Sequence, residues 1–386
     1  MNSTNSQWFS MLGRERELAV AELAAISPAS SDITKHGSLA VGTGDMPNWD
    51  RVGGSQRAGI VIGKVPTNNS AQLIELIQAN LPKEPGKLQC GLSAFGITPQ
   101  RYTKLWRDIK IALRVDGRSV RMITGAGNTV LSAAQVIHNG LTKPTNAEFI
   151  VWEHHHELWV GRTTWVQDID AYTARDRERP ARDSRVGMLP PKLAQIMINL
   201  ARAESDQLVF DPFCGTGVIL QEALLMGYDA SGSDNSSDMI VATQKNIEWL
   251  QSKLPISAEY SSAYLSEAQS VTFPKNREIC IVCEGYLGRP QSDQMTLSDI
   301  ESEQNFLNPL YRSVFSHWHR QSSIRSIVIA LPYWHLRGHD HHLSFLDSLE
   351  TIGYTCEQFA PNKTKYLQYR RPDQRVGRMI IRLIKE

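Results

Sequence analysis

The chain has 386 residues and carries 41 Lys+Arg against 40 Asp+Glu, a formal net charge of +1. Its 41% hydrophobic and 21% charged residues are those of a folded protein, which excludes disordered, collagen-like and low-complexity architectures. At roughly 100–200 residues per domain, two or three domains are expected. No window of about 18 or more uncharged apolar residues occurs, so no transmembrane helix is expected. The opening MNSTNSQWFSMLGRERELAV lacks the basic and apolar regions of a signal peptide. Five cysteines in so long a chain make no disulfide framework and point to a reducing, cytoplasmic compartment. The near-neutral total weighs against a nucleic-acid partner only if charge is evenly spread along the chain.

In chain order, the first element is a helix near 15–26, with Leu18, Ala21 and Ala25 on one face. Turn signals follow in GSLAVGTG, at Pro47 and at Gly53-Gly54. AGIVIGKV (58–65) reads as a strand, and 70–80 as a helix facing inward through Leu73, Ile74 and Ile77. After the break at 81–86 come a strand-like LQCGLSAFGI and a helix from Pro99 with Tyr102, Leu105, Trp106, Ile109 and Leu113 as its apolar stripe. Arg101, Lys104, Arg107, Lys110 and Arg114 lie off that stripe. A strand (SVRMITG), a helix-like stretch from Val130 and two strands, AEFIVWEH and ELWVGRTTWV, close this part near 167.

Residues 168–189 form a polar, Arg-rich connector. Beyond it Pro190-Pro191 open a helix, where a missing N–H costs nothing, with Leu193, Ile196, Met197 and Leu200 at helical spacing. Strands QLVF, DASGS, AEYSS, EICIVC and IRSIVIAL then alternate with helices at 218–226, 238–250 and 297–320. A helix at 342–353 and two or three closing strands follow. Such alternation predicts a doubly wound, largely parallel α/β sheet.

The sharpest local signal is LVFDPFCGTGVIL, 208–220. An apolar strand ends in Asp211, a turn holds Gly215 and Gly217, and a helix begins. The glycines let backbone approach a ligand, and the helix start offers free N–H groups. A second acid, Asp234, ends the next strand, where a carboxylate can accept from a ribose diol. A dinucleotide site wants G-x-G-x-x-G, and here Leu220 stands in place of the third glycine. DPFCGTG instead resembles the first motif of S-adenosylmethionine-dependent methyltransferases with a Rossmann-like fold. The resemblance implies that Asp211, Pro212, Phe213, Cys214, Gly215 and Gly217 line the cofactor and that Asp234 holds its ribose. It also carries over Ser262 and Ala263, near the adenine.

EICIVC runs into Glu284-Gly285-Tyr286-Leu287-Gly288, where amino-directed methyltransferases carry D/N-P-P-Y. An exocyclic amine is a weak nucleophile because its lone pair is delocalised. An acceptor on its hydrogens restores that density, and an aromatic ring holds the base in line. Glu284 and Tyr286 are the candidate catalytic residues for these tasks, with Gly285 and Leu287 lining the acceptor. Glu stands for Asp/Asn and Gly285 for a proline.

Further segments, ERPARD (178–183), VGMLPPKLAQIMINLA, LSAAQVIHNGL, LGRERELAVAEL and YRRPDQRVGRMI, resemble the THUMP-containing tRNA guanine-N2 methyltransferases of the guanosine-10 type and their bacterial relatives. That resemblance spans nearly the whole chain. It implies a ferredoxin-like domain (1–84), a THUMP RNA-binding domain (85–167), the linker (168–189) and a catalytic domain (190–386) whose sheet closes with an antiparallel hairpin. It implies S-adenosyl-L-methionine as cofactor, tRNA as partner and methylation of a guanosine N2. The competing functions are methylation of ribosomal RNA or of adenine in DNA, and tRNA binding without catalysis.

Charge is in fact segregated: 86–130 and 361–386 each carry net +6 and 173–192 net +3, leaving −14 on the rest. Arg101, Lys104, Arg179 and Arg182 are the candidate RNA contacts, with Tyr102, Trp106, Tyr366 and Tyr369 nearby in sequence. His154-His155-His156 has no Cys or spaced His to support it, the better-spaced His335, His339, His341 and His342 read as a polar loop, and Cys280/Cys283 form a C-x-x-C with no second pair in what reads as a buried strand, so no metal is expected. Cys214 is expected to pack rather than react, because methyl transfer from a sulfonium needs no covalent intermediate.

Overall fold

The computed structural model describes residues 6–84, 86–115, 119–125, 127–182, 188–289, 295–372 and 374–385. The Arg114 side chain, Asp183, Val186, Gly187 and Asp373, all named above, lie outside the described residues. The chain forms two compact units.

One unit comprises the chain through Arg16, Ser27–Asp50 and Ser55–Ile169. Its strands are β1 (Gln7–Leu12), β2 (Ile33–His36), β3 (Leu39–Thr43), β4 (Ser55–Pro66), β5 (Leu88–Phe95), β6 (Val120–Ile123), β7 (Ala147–His154) and β8 (Glu157–Val166). They make one sheet in the order β2-β3-β1-β4-β8-β7-β5-β6. Helix α1 (Arg16–Ile26) follows β1 but groups with the other unit from Glu17 on. Helices α2 (Ser70–Ala79) and α3 (Pro99–Val115) cover β5 through Leu73, Ile77, Tyr102, Leu105, Ile109 and Leu113, the stripes read from spacing. A short α4 (Ala133–His138) starts with a Ser132/Gln135 capping box.

The boundary expected at 84/85 is not a break in this sheet, because β4 pairs antiparallel with β8 from Arg57↔Val166 to Pro66↔Glu157. A buried polar knot reinforces the join. Glu148 accepts from Ser93 Oγ at 2.7 Å, from Thr163 Oγ1 at 2.7 Å and from the Arg57 guanidinium. Arg57 Nη2 also donates to the Leu131 carbonyl at 2.7 Å. Removing one member of such a buried pair costs about 3–5 kcal/mol. Strands β1–β3 were not legible because their inward residues, Trp8 and Phe9 among them, lie in short runs crowded by Gly, Ser and Thr.

The second unit holds Glu17–Ile26, Arg51–Gly54 and Asp170–Glu386. Its strands are β9 (Leu208–Asp211), β10 (Ala230–Asp234), β11 (Tyr260–Leu265), β12 (Ile279–Glu284), β13 (Ile324–Leu336), β14 (His339–His341), β15 (Tyr354–Cys356), β16 (Leu367–Tyr369) and β17 (Val376–Lys385). Its helices are α5 (Ile169–Arg177), α6 (Pro191–Ala201), α7 (Val218–Leu225), α8 (Ser237–Lys253), α9 (Leu297–His319) and α10 (Leu349–Ile352). The sheet order is β11-β10-β9-β12-β13-β17-β15, with β9–β13 mutually parallel and β17 antiparallel to β13. Strand alternation divides the core. Phe210, Ile281 and Cys283 face a cluster with α9, whereas Val209, Cys280 and Val282 face α6 and α7. Cys280 and Cys283 therefore point to opposite faces, so their spacing builds no joint site.

The order reverses between β9 and β12, and ligands of doubly wound sheets bind at the carboxyl ends of strands there. The polar, Arg-rich connector contains α5, and the helix read at 342–353 is a 3-10 turn (Ser344–Ser348) running into the short α10. On the α6 face, the buried Glu22 of α1 accepts from the Gly53 and Gly54 N–H groups at 2.9 and 2.7 Å and from Asn199 Nδ2 at 2.8 Å. Burial outweighs those three donors and lifts its carboxyl to about 7. A Cβ on Gly54 would sit 2.7 Å from Ala19 Cα, so the loop docks only as glycine.

Candidate functional site

The cofactor-type loop is built almost wholly by local backbone. Asp211 ends β9, is 2% exposed, and its Oδ1 accepts from the Phe213 N–H at 2.9 Å. The chain then turns through Gly215 (φ +51) and Gly217 (φ +79), a backbone region that disfavours other residues. Gly217 caps α7, and a Cβ there would stand 2.9 Å from Thr243 Cγ2. Thr243 Oγ1 donates to the Gly215 carbonyl at 2.8 Å and pins the turn from α8. Asp234 ends β10 beside it: Oδ2 accepts from Gly215 N–H at 2.9 Å and Oδ1 from Ser236 N–H at 3.0 Å.

Glu284 ends β12, next to β9, on the same face of the sheet as Asp211. Three carboxylates thus converge at the reversal point, and burial raises the pKa of each. Asp234 and Glu284 push Asp211 further up. Among the described residues no cation pairs with Asp211 or Asp234. Carboxyls so placed, with no cation beside them, fit a cationic ligand, and lone pairs on both Asp234 oxygens remain for a diol. Burial and the neighbouring acids also push the Cys214 thiol well up, consistent with a packing role.

The acceptor-type segment is held from elsewhere. Glu284 is ion-paired with Arg378 of β17, a residue 4% exposed that sequence reading placed only within a basic hairpin. The Arg378 guanidinium also lies 5.7 Å from the centroid of the Tyr369 ring. Gly285 N–H donates to the Ala330 carbonyl at 3.0 Å. A Cβ on Gly285 would overlap the Tyr311 hydroxyl, which donates to the Tyr286 carbonyl at 2.8 Å. Gly288 (φ +88) abuts the Glu303 carboxylate, which accepts from Arg289 N–H at 3.2 Å. Tyr286 is 42% exposed and meets Phe306 of α9 edge-on at 6.4 Å, itself 51% exposed. Leu287 is half-buried beside it. Tyr311, Glu303 and Phe306 were missed because their segment carries no motif, and Arg378 because its closing hairpin is 94 residues from Glu284 with nothing in the sequence to pair them.

The remaining expected site residues divide between the sheet and the basic segments. Ser262 pairs with Ser231 and Ala263 with Gly232, whereas Leu265 is the residue level with Asp234. Ala263 is thus level, through Gly232, with Asp211, and Ser262 lies one residue before it in β11. Arg179, expected as an RNA contact, is 3% exposed and bonds to Met188 Sδ at 3.1 Å. Its neighbour Arg175 donates to the buried Glu222 at 2.7 Å. Asn246 of α8 brackets Ala181, accepting from its N–H and donating to its carbonyl, both at 2.9 Å. This basic strap is thus folded onto the second unit. Arg182 and Lys104 are exposed, whereas Arg101 pairs with Glu153 at 3.0 Å.

The histidine runs lie in two hairpins. His155 and His156 take positive φ between β7 and β8, and Arg337-Gly338 do so between β13 and β14. His335 Nδ1 meets Asp340 Oδ1 at 2.7 Å within the second hairpin. Among the described residues no cluster suited to a metal occurs.

Residues 179–272 match the family described as the RMKL-like methyltransferase domain. The chain is 25% identical over 243 residues to a tRNA (guanine(10)-N2)-dimethyltransferase of Pyrococcus abyssi, covering 62% of this chain and 66% of that one. It is 44% identical over 62 residues to the enzyme of the same name from Methanothermobacter thermautotrophicus, covering 16% of this chain and 18% of the relative. The match thus spans less than two thirds of these curated relatives. Among solved structures, TrmN from Thermus thermophilus aligns over 98% of this chain and 100% of its own, with a TM-score of 0.54 at 15% identity. That likeness shows an α/β fold in common over nearly the whole chain.

Proposed function

We propose that the protein is an S-adenosylmethionine-dependent RNA methyltransferase that methylates the exocyclic N2 of a guanosine in tRNA, with guanosine 10 the expected position. The observation that carries this is the convergence of Asp211, Asp234 and Glu284 around a left-handed glycine turn at the reversal point of the sheet. The named relatives, both tRNA guanine-N2 enzymes, support the substrate class.

Bound S-adenosylmethionine supplies a methyl group on a positively charged sulfur. Asp211, buried beside two further acids, offers its charge to the methionine end. Gly215 and Gly217 keep side chains out of the cofactor's path, and Asp234 accepts from the ribose hydroxyls. Pro212, Phe213 and Cys214 pack the turn beneath. Glu284 accepts hydrogen bonds from the guanine amine, draws electron density back to its nitrogen and receives the proton lost on methylation. Tyr286 stacks on the base, with Gly285 and Leu287 completing the wall. A stem nucleotide must leave its stack to reach this depth.

The unit built on β1–β8 is the RNA-gripping part, a ferredoxin-like and THUMP arrangement sharing one sheet, with Lys104 as an exposed phosphate contact there and Arg182 as one on the second unit. The free cysteines suit a reducing, cytoplasmic setting. Methyl-labelled S-adenosylmethionine incubated with total tRNA, then nucleoside digestion, tests the reading. Label in N2-methylguanosine is expected. Label confined to methyladenosine, or transfer only to ribosomal RNA or DNA, overturns it.

A further inference from the structure

We propose that Arg378 is a positioning residue for methyl transfer, doing by an ion pair from the antiparallel strand β17 what prolines do locally in the D/N-P-P-Y motif. The inference rests on the proposed function and deepens it. Glu284 has one more methylene than Asp and is followed by Gly285, so its own segment neither shortens nor stiffens the carboxylate's reach. The structure supplies both restraints from outside. Arg378 is 4% exposed and grips Glu284 from β17, a separation of 94 residues. Tyr311, from α9, holds the Tyr286 carbonyl at 2.8 Å and occupies the space a side chain at position 285 would need. The permissive glycine is therefore the only residue that lets the tyrosine reach in. A rigid acceptor wall results without proline.

The pair also sets the charge of Glu284. Asp211 on β9, Cys283 on its own strand, Tyr311 on α9 and Arg378 on β17 are the titratable groups facing it. Burial pushes the Glu284 carboxyl up and Asp211 disfavours a second negative charge, while Arg378 pulls it back down. Only the ionised form accepts both amine hydrogens and leaves a site for the departing proton. Activity should therefore fall as pH drops through the Glu284 pKa, and loss of Arg378 should move that fall to higher pH.

The full-length protein is compared with R378M and R378K. For R378M the acid limb of kcat for tRNA should shift up by at least about one pH unit, with kcat near neutrality down about tenfold or more. S-adenosylmethionine affinity by calorimetry, which also reports folding, should stay within about threefold. R378K should recover most of the limb's position, since it keeps the charge while losing the planar fork. An R378M profile superimposed on the parent's overturns the proposal. A second readout does not need turnover: the carboxyl 13C resonance of labelled Glu284, assigned by its absence in E284Q, should titrate higher in R378M. If it does not move, the proposal fails even where tRNA is methylated. If it moves while the parent leaves tRNA unmethylated, the substrate reading fails and the electrostatic role of Arg378 stands.

Discussion

The two halves of the candidate site are preorganised by different means. At the cofactor half, Asp211 is oriented by a backbone N–H two residues on and Asp234 by N–H groups of the adjoining turns. Positive-φ glycines and the cap of α7 do the rest. At the acceptor half, Glu284 and Tyr286 are fixed by Arg378 and Tyr311, side chains from two distant elements. A site made by local backbone tolerates little change in its own motif. A site made by long-range contacts can change its motif if the distant partners change with it, which is how Glu-Gly can stand in place of Asp-Pro here.

The largest expected effect attacks the local half. Asp211→Ala should weaken S-adenosylmethionine binding by roughly 1000-fold, as for losing one partner of a buried charge pair. Calorimetry showing unchanged affinity would remove Asp211 from the cofactor site.

Next comes a position outside both halves. Glu22 sits at about 7 in the folded chain against an ordinary 4.5, so the folded state keeps a proton that the unfolded state has lost between those values. Its stabilising contribution is whole below about 4.5 and fades as pH rises through about 7, a change on the order of 3 kcal/mol. Thermal melts of E22Q should lose that part of the slope, while cofactor affinity and kcat stay put. An identical slope would mean that Glu22 does not titrate in this window.

The distant half breaks more gently and more selectively. Gly285→Ala places a methyl against the Tyr311 hydroxyl and should lower kcat about tenfold with cofactor affinity unchanged. Removing the hydroxyl in G285A/Y311F should restore part of it. A double variant no better than G285A would show that the crowding at Tyr311 is not the cause. The smallest effect is Phe306→Ala. Losing the edge contact to Tyr286 should raise KM for tRNA about threefold while kcat holds. A fall in kcat instead would put Phe306 in the alignment of the reacting base.

Features that depend on periodicity and short-range chemistry are legible along the chain. The i, i+3, i+4 stripes of α3 and α6 bury as their spacing required. The turn from Asp211 to Gly217 could be read because every group that shapes it lies within a few residues, apart from Thr243 and Asp234 on the next elements. Helix α5 escaped notice because its polar sequence has no apolar stripe. Strands β1–β3 escaped because short alternating runs rich in small residues look like loops. Tertiary structure alone decided that one sheet spans the expected boundary at residue 84, since strand pairing between β4 and β8 leaves no local trace. It decided that Arg179 is buried rather than offered to RNA, because charge along a sequence carries no information on burial. It also decided that Glu284 meets Arg378, since the register between β13 and β17, and not any spacing, brings that arginine to the carboxyl end of the sheet.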